Sequence, residues 1–171
     1  MKPTDPNHPC LTIWFSITIP AYLSAGKDQT RVAMQLNSLT HTRFTFKMKV
    51  GKPGKQQMER FEWRMSKGYE VHHIHPKAHG AKLVRLGHEG PGGGAGGERG
   101  TRKKGESSDG KEVVAVWGTT SHVPRTVTGE YKKPFTLYFR GSGDTGELGE
   151  EFRALAIMSA LKIFQLTEQK M

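Results

Sequence analysis

The side chains best suited to metal chemistry are four histidines close together in the sequence: His72, His73, His75 and His79. Neutral imidazoles bind zinc and copper, and alternate positions of a strand would place two of the four on one face. Pro76 and Gly80 instead indicate a loop. We therefore predict a solvated histidine cluster that becomes protonated below about pH 6.5. A metal-binding protein or an enzyme that uses this cluster is kept as an alternative.

The stretch from Gly141 to Gly146 matches the dinucleotide-binding pattern Gly-x-Gly-x-x-Gly between a predicted strand and a predicted helix. No second strand follows that helix in the sequence, and Glu147, Glu150 and Glu151 would repel a pyrophosphate. The stretch is better explained as a turn that leads into the helix. Because the Gly-x-Ser-x-Gly, His-Glu-x-x-His and Walker patterns do not occur, we predict neither an enzyme nor a cofactor.

Basic side chains are the remaining candidates, in a chain of 171 residues with a net charge of +10. Alternation places Arg43, Lys47 and Lys49 on one face of a predicted strand. With basic residues from later strands, the candidate site for an anion or a lipid headgroup comprises Arg43, Lys47, Lys49, Lys82, Arg85, Lys132, Lys133 and Arg140. Such a patch would attract phosphates. Equally, outward-facing strand residues are commonly basic, and positive sheet edges discourage aggregation.

The elements that position these side chains are predicted strands, recognised by the alternation of apolar and polar residues. They cover 11–19, 31–36, 41–50, 58–65, 81–86, 112–117 and 134–140, with an edge strand at 123–127. The glycine-rich segment 87–110 has too few apolar residues to offset its ordering entropy. We predict a flexible N-terminus over 1–10 and a single domain over 11–171, with 87–110 as a mobile loop inserted into a hairpin.

The strands are followed by one strongly predicted helix that begins near Phe152. Its large apolar residues cover most of the circumference: Leu155, Ile157, Met158, Leu161, Ile163 and Phe164. A helix of this kind belongs in a protein core, and its apolar run is shorter than the ~20 residues of a membrane span. A flat sheet covers only one side of a helix. The fold class predicted is therefore mainly β, a closed or strongly curved antiparallel β-barrel wrapped around a buried hydrophobic α-helix.

Four segments resemble recurring segments of fungal tubby-like proteins: Phe61-Glu62-Trp63-Arg64, Lys82-Leu83-Val84-Arg85-Leu86, Asp109-Gly110-Lys111-Glu112-Val113-Val114-Ala115-Val116-Trp117 and Gly146-Glu147-Leu148-Gly149-Glu150. The order of elements also resembles the tubby C-terminal-like fold of tubby proteins, phospholipid scramblases and the plant LURP-one-related proteins. This resemblance implies a barrel closed around the last helix. For tubby it also implies binding of phosphoinositide headgroups by basic side chains. No tubby phosphoinositide motif can be matched here, so it assigns no site residue.

The single cysteine, Cys10, excludes an intrachain disulfide and favours a reducing compartment. Polar residues interrupt the apolar run from Leu11 to Tyr22, which argues against a signal peptide. We predict an intracellular, cytoplasmic protein without a transmembrane segment, at the membrane periphery if it binds lipid. The predicted function is a binding or scaffolding module for anionic phospholipid headgroups or a protein partner. A nucleic-acid-binding protein is the alternative.

Overall fold

The computed structural model describes residues 14–19, 30–36, 43–74, 76, 78–91, 93, 96, 103–119 and 135–168. Its elements, in chain order, are β1 (Trp14–Ile19), β2 (Thr30–Leu36), β3 (Arg43–Val50), β4 (Gln57–Ser66), α1 (Tyr69–His72), β5 (His79–Glu89), β6 (Lys111–Thr119), β7 (Thr136–Phe139) and α2 (Glu150–Glu168). A short 3-10 turn, Gly141–Gly143, lies between β7 and α2.

The seven described strands form one sheet in which every strand pairs with its neighbour in the sequence, and every pair is antiparallel. The prediction of a mainly antiparallel β fold followed by a hydrophobic helix is confirmed. Within the described strands no pairing joins β1 to β7. The predicted closure of the sheet into a barrel therefore stays a prediction.

The main core lies between α2 and the face of the sheet that we call the inner face. Alternation along β3 directs Phe44, Phe46, Met48 and Val50 to this face, as the sequence predicts. Aromatic rings from the sheet and the helix meet there, with the Phe61 ring 4.8 Å from that of Phe152. Burial of such apolar side chains is the main driving force for folding, at roughly 1.5–3 kcal/mol for each large one.

Helix α2 is buried along one face and not on all sides, which corrects the prediction of an enclosed helix. Its buried residues are Phe152, Leu155, Ala156, Ser159, Ala160 and Ile163. On the opposite flank, Ile157 and Leu161 are 42% and 41% exposed. These two residues are four positions apart and so lie above one another on the helix surface, on the flank turned away from the described sheet. Neither described helix combines the length and apolar character that a membrane crossing requires.

A second, smaller apolar cluster lies on the opposite side of the sheet, the outer face. Val71 of the short helix α1 packs there against Val84, Val113 and Val116 of β5 and β6. Helix α1 was not predicted from the sequence, because four residues are too few to show a helical period. Helix α1 covers the outer face of β5 and β6 and leaves β3 and β4 outside this cluster.

Part of the glycine-rich segment 87–110 is packed against the sheet. Strand β5 continues to Glu89, and the Gly90 N–H donates to the Gly110 carbonyl over 2.7 Å. Glu106 and Ser107 are buried. The structure therefore holds both ends of the segment, over 87–91 and 103–110. The predicted N-terminus 1–10 and the predicted edge strand 123–127 lie outside the described residues.

A candidate anion-binding face on the β3–β4 hairpin

The outer face of the β3–β4 hairpin brings together exposed basic side chains from two strands and their connecting turn. Arg43, Lys47 and Lys49 point outward from β3 and are exposed, as predicted. The register pairs Lys47 with Arg60 of β4. We call the exposed group formed by Lys47, Lys49, Lys52, Lys55 and Arg60 the basic hairpin face.

Two of these cations, Lys47 and Arg60, lie directly opposite each other with no neutralising partner among the described residues. Side chains of directly paired residues have Cβ atoms about 4.5–5.5 Å apart, and like charges in this arrangement repel. In the part of the chain that the structure describes, no carboxylate lies within ion-pairing distance of Lys47, Lys49 or Arg60. An anion placed between Lys47 and Arg60 would remove this repulsion.

The basic hairpin face is fixed to the rest of the domain through its turn. Lys55 N–H donates to the Lys52 carbonyl over 3.0 Å, which closes the turn. Gly51 has a φ of 112°, a conformation that favours glycine, and its N–H donates to the carbonyl of Leu148 just before α2 over 3.4 Å. The turn that presents Lys52 and Lys55 is thus attached to the body of the protein.

Along the same outer face, the other end of the hairpin is neutralised by carboxylates. The Arg64 guanidinium donates two hydrogen bonds to Asp109, over 2.6 and 2.9 Å, and one to Glu62 over 2.5 Å. Arg43 lies 3.6 Å from Glu62. The hydrogen bond from Arg64 is the main reason that the pKa of Asp109 lies well below its usual range, although burial opposes the shift. This end of the face offers an anion less attraction than the basic hairpin face does.

The structure places Arg85 on the inner face, away from the candidates on β3. Its side chain is 3% exposed and donates to Glu59 and to Glu147, over 2.6 and 2.9 Å, with Glu112 3.6 Å away. Burial lowers the pKa of Arg85, but the hydrogen bonds to Glu59 and Glu147 outweigh this and raise the pKa above its usual value. Arg85 is therefore a structural cation that already has carboxylate partners.

The remaining predicted candidates do not join the basic hairpin face either. Lys82 is buried in β5, cross-strand from Arg64, and has interaction partners of its own. Arg140 follows β7, and its Nε lies 3.3 Å from the buried carboxylate of Glu70 on α1. Lys132 and Lys133 lie outside the described residues.

Three basic residues were missed as candidates, although the sequence contained signals for them. Arg60 alternates in the sequence with Phe61 and Trp63, a pattern that predicts an outward-facing side chain on β4. Lys52 and Lys55 flank the Pro53-Gly54 turn. What the sequence could not show is the register that pairs Arg60 with Lys47.

Two clefts among the described residues lie beside the loop that precedes α2. One has a volume of about 350 Å³ and is lined partly by Lys104, Glu112 and Arg140; the other measures about 300 Å³ and includes Arg85 and Glu112. Ligand pockets usually measure about 300–1,000 Å³, so both are small. Glu112 accepts hydrogen bonds from the backbone and hydroxyl of Ser142, over 2.8 and 2.9 Å. The arginines in these clefts already have partners: Arg85 bonds to Glu59, and Arg140 lies against Glu70.

The histidine cluster is only partly described. His72 and His73 are exposed at the end of α1, and His79 begins β5, whereas His75 lies outside the described residues. Among the residues whose positions are described, no three His, Cys, Asp or Glu side chains are arranged to hold a metal ion.

Comparison of the chain with models of known protein families, with curated proteins and with solved structures finds no match in any of the three.

Proposed function

We propose that the protein is a non-enzymatic binding module that attaches to anionic phospholipid membranes through the basic hairpin face. The observation that supports this most directly is the opposition of Lys47 and Arg60, with three further exposed lysines around them and no described carboxylate to pair with them. A lipid phosphate or carboxylate supplies the missing negative charge. The net charge of +10 adds a long-range attraction to the same surface.

The size of the face suits a peripheral membrane protein. Each Lys or Arg close to an anionic leaflet contributes about 1 kcal/mol, so a group of five is sufficient for reversible attachment at low salt. The turn is already hydrogen-bonded to Leu148, so it loses little conformational entropy when it binds a membrane. Salt screens such attraction over a Debye length of about 8–10 Å, so attachment weakens as ionic strength rises.

The lack of aromatic side chains on the described outer face of the β3–β4 hairpin favours a membrane over nucleic acid as the binding partner. Proteins that bind single-stranded nucleic acid usually stack bases on aromatic side chains. The outward-facing residues described on β3 and β4 include none: Arg43, Thr45, Lys47, Lys49, Met58, Arg60, Glu62, Arg64 and Ser66. The binding test must therefore distinguish attachment to vesicles from retention on nucleic acid.

We also propose that the sheet curves strongly around α2, in the manner of the tubby-like fold that the sequence resembles. The helix runs along β7, because Arg153 contacts the Phe139 ring at 5.2 Å and Phe164 lies 5.4 Å from Phe135. The same helix lies beside β1 and β3. Seven strands about 4.8 Å apart span about 29 Å when flat, whereas a helix is about 10–12 Å wide. Contact with both ends of the strand order therefore favours a curved sheet. An experimental structure with α2 on a flat sheet would contradict this part of the proposal.

The membrane proposal is tested by co-sedimentation with vesicles of phosphatidylcholine that contain about a third phosphatidylserine. The test variant replaces Lys47, Lys49 and Arg60 with Gln. The matched control replaces Lys103, Lys104 and Lys162, which are exposed elsewhere, so both variants have the same net charge. We expect the test variant to lose on the order of 100-fold in vesicle affinity, about 1 kcal/mol for each charge removed. The control should lose far less.

Equal losses in the two variants would show that net charge and not the basic hairpin face determines attachment. A wild-type protein that ignores phosphatidylserine vesicles would refute the membrane proposal. Tighter retention on single-stranded DNA than on vesicles, lost in the same test variant, would instead assign the face to nucleic acid.

A further inference from the structure

Cations of the basic hairpin face flank one prominent apolar side chain. Met58 is 60% exposed, the highest value among the large apolar side chains that the structure describes. It lies on the outer face of β4, directly opposite Lys49 and two residues from Arg60. The turn with Lys52 and Lys55 connects the two strands just beyond it.

An exposed apolar side chain flanked by cations is suited to the surface of an anionic bilayer. A soluble polyanion would contact the lysines and the arginine but gain little from the thioether side chain. A bilayer offers phosphates at its surface and hydrocarbon a few ångströms deeper, so both parts of the face are satisfied together. Met is unbranched and flexible, which lets it enter between lipid chains without a shaped pocket.

We infer that Met58 inserts into the interfacial region of an anionic bilayer while the surrounding basic side chains bind its headgroups. This inference rests on the proposed membrane attachment and specifies how the protein contacts the bilayer. Attachment then has two components, a salt-sensitive one from the basic hairpin face and a salt-resistant one from Met58. A purely electrostatic surface would have only the first.

The first experiment compares Met58→Gln with Met58→Leu in the vesicle assay. Both replacements are close to Met in length and lie on an exposed surface, so folding is little affected. We expect Met58→Gln to weaken vesicle affinity about tenfold, and Met58→Leu to retain it within about twofold. The loss caused by Met58→Gln should persist at high salt.

The second experiment reports the position of residue 58 directly. Cys10 is the only cysteine, so Cys10→Ser combined with Met58→Cys gives a single attachment point for an environment-sensitive fluorophore. The matched control places the label at Ile157→Cys, an exposed apolar position on α2. We expect phosphatidylserine vesicles to shift the emission of the label at 58 to shorter wavelength and brominated lipids to quench it. The label at 157 should respond to neither.

The outcomes separate the two proposals. If the protein binds vesicles but the label at 58 responds no more than the label at 157, insertion is overturned and electrostatic attachment stands. If unlabelled wild-type protein does not bind the vesicles, the proposed function fails and the insertion fails with it. Equal affinities of Met58→Gln and Met58→Leu would also overturn the insertion.

Discussion

Arg85 and Glu59 lie on neighbouring strands of the inner face, and the guanidinium of Arg85 makes two hydrogen bonds with the Glu59 carboxylate. Both side chains are nearly buried, 3% and 7% exposed. A bidentate pair of this kind is among the stronger polar interactions in proteins. Glu147, in the loop before α2, is bonded to the same arginine, so the pair joins the sheet to that loop.

We expect Arg85→Met to destabilise the protein by about 3 kcal/mol in urea unfolding. The substitution leaves the Glu59 carboxylate buried without its cation, and removal of one partner of a buried pair typically costs 3–5 kcal/mol. The lower end applies because Glu147 is 57% exposed, so water reaches this network. The double variant Glu59→Met/Arg85→Met should recover at least half of the loss, since the most buried carboxylate of the network is then removed together with its cation. A double variant less stable than Arg85→Met would contradict this account.

Acid should weaken the fold below about pH 4. Burial raises the pKa of Glu59, but hydrogen bonds from Arg85 and Gln57 outweigh it and lower the pKa; the pKa of Asp109 is also lowered. A carboxylate whose folded pKa is depressed contributes stability above its unfolded pKa of about 4, and the contribution is lost as pH falls through the folded value. We expect the urea midpoint to be nearly constant from about pH 7 to 5 and to decrease once the pH falls below about 4. Asp109→Asn should show a smaller decrease than wild type.

Two glycines of β5 should respond very differently to the same substitution. A Cβ added at Gly80 would overlap the carbonyl oxygen of Trp117 and lie 2.8 Å from the Gly118 Cα, all backbone of β6, whereas one at Gly87 would meet nothing within 4 Å. We expect Gly80→Ala to cost about 3 kcal/mol, because two paired strands must separate. Gly87→Ala should change the free energy of unfolding by no more than about 0.5 kcal/mol. Thermal unfolding of the two variants side by side measures the difference, and equal midpoints would contradict it.

The hydroxyl of Ser159 is expected to contribute through a buried hydrogen bond between α2 and β4. The Trp63 indole N–H donates to Ser159 Oγ over 2.8 Å, and both residues are fully buried. Ser159→Ala leaves the indole without its acceptor, which costs about 1–3 kcal/mol. The measurement is urea unfolding followed by tryptophan fluorescence. Ala160→Ser, at the next position on the buried face of the helix, tests whether any change at this depth has the same effect. An unchanged midpoint in Ser159→Ala would show that the bond contributes nothing.

The strands were predictable because their apolar residues alternate over most of their length. Strand β3 shows this best, with inward Phe44 and Phe46 and outward Lys47 and Lys49 as expected. The helix was predictable from its continuous apolar run, but its exposed flank at Ile157 was not, because composition does not show how far a sheet extends around a helix.

The candidate site was predicted only in part, because its residues depend on which face of a strand each side chain occupies and on how neighbouring strands align. Lys82 and Arg85 are three residues apart on one strand, and side chains on a regular strand alternate between faces, so the two cannot share a patch. That much was available from the sequence. The partner of Arg85, Glu59, is 26 residues away, and their contact depends on how the hairpins align. Register of this kind is set by turn geometry and core packing together.

The order of elements along the chain has a consequence for protein synthesis. The seven described strands emerge from the ribosome before the helix that packs on them, and each one after β1 can pair at once with the strand made just before it. At a synthesis rate of about 5–20 residues per second, α2 is completed on the order of seconds after β7. The aromatic inner face of the sheet stays uncovered during that time. During that interval a nascent chain exposes Phe61 and Trp117 to solvent and to chaperones, and the exposure ends when α2 packs on the inner face.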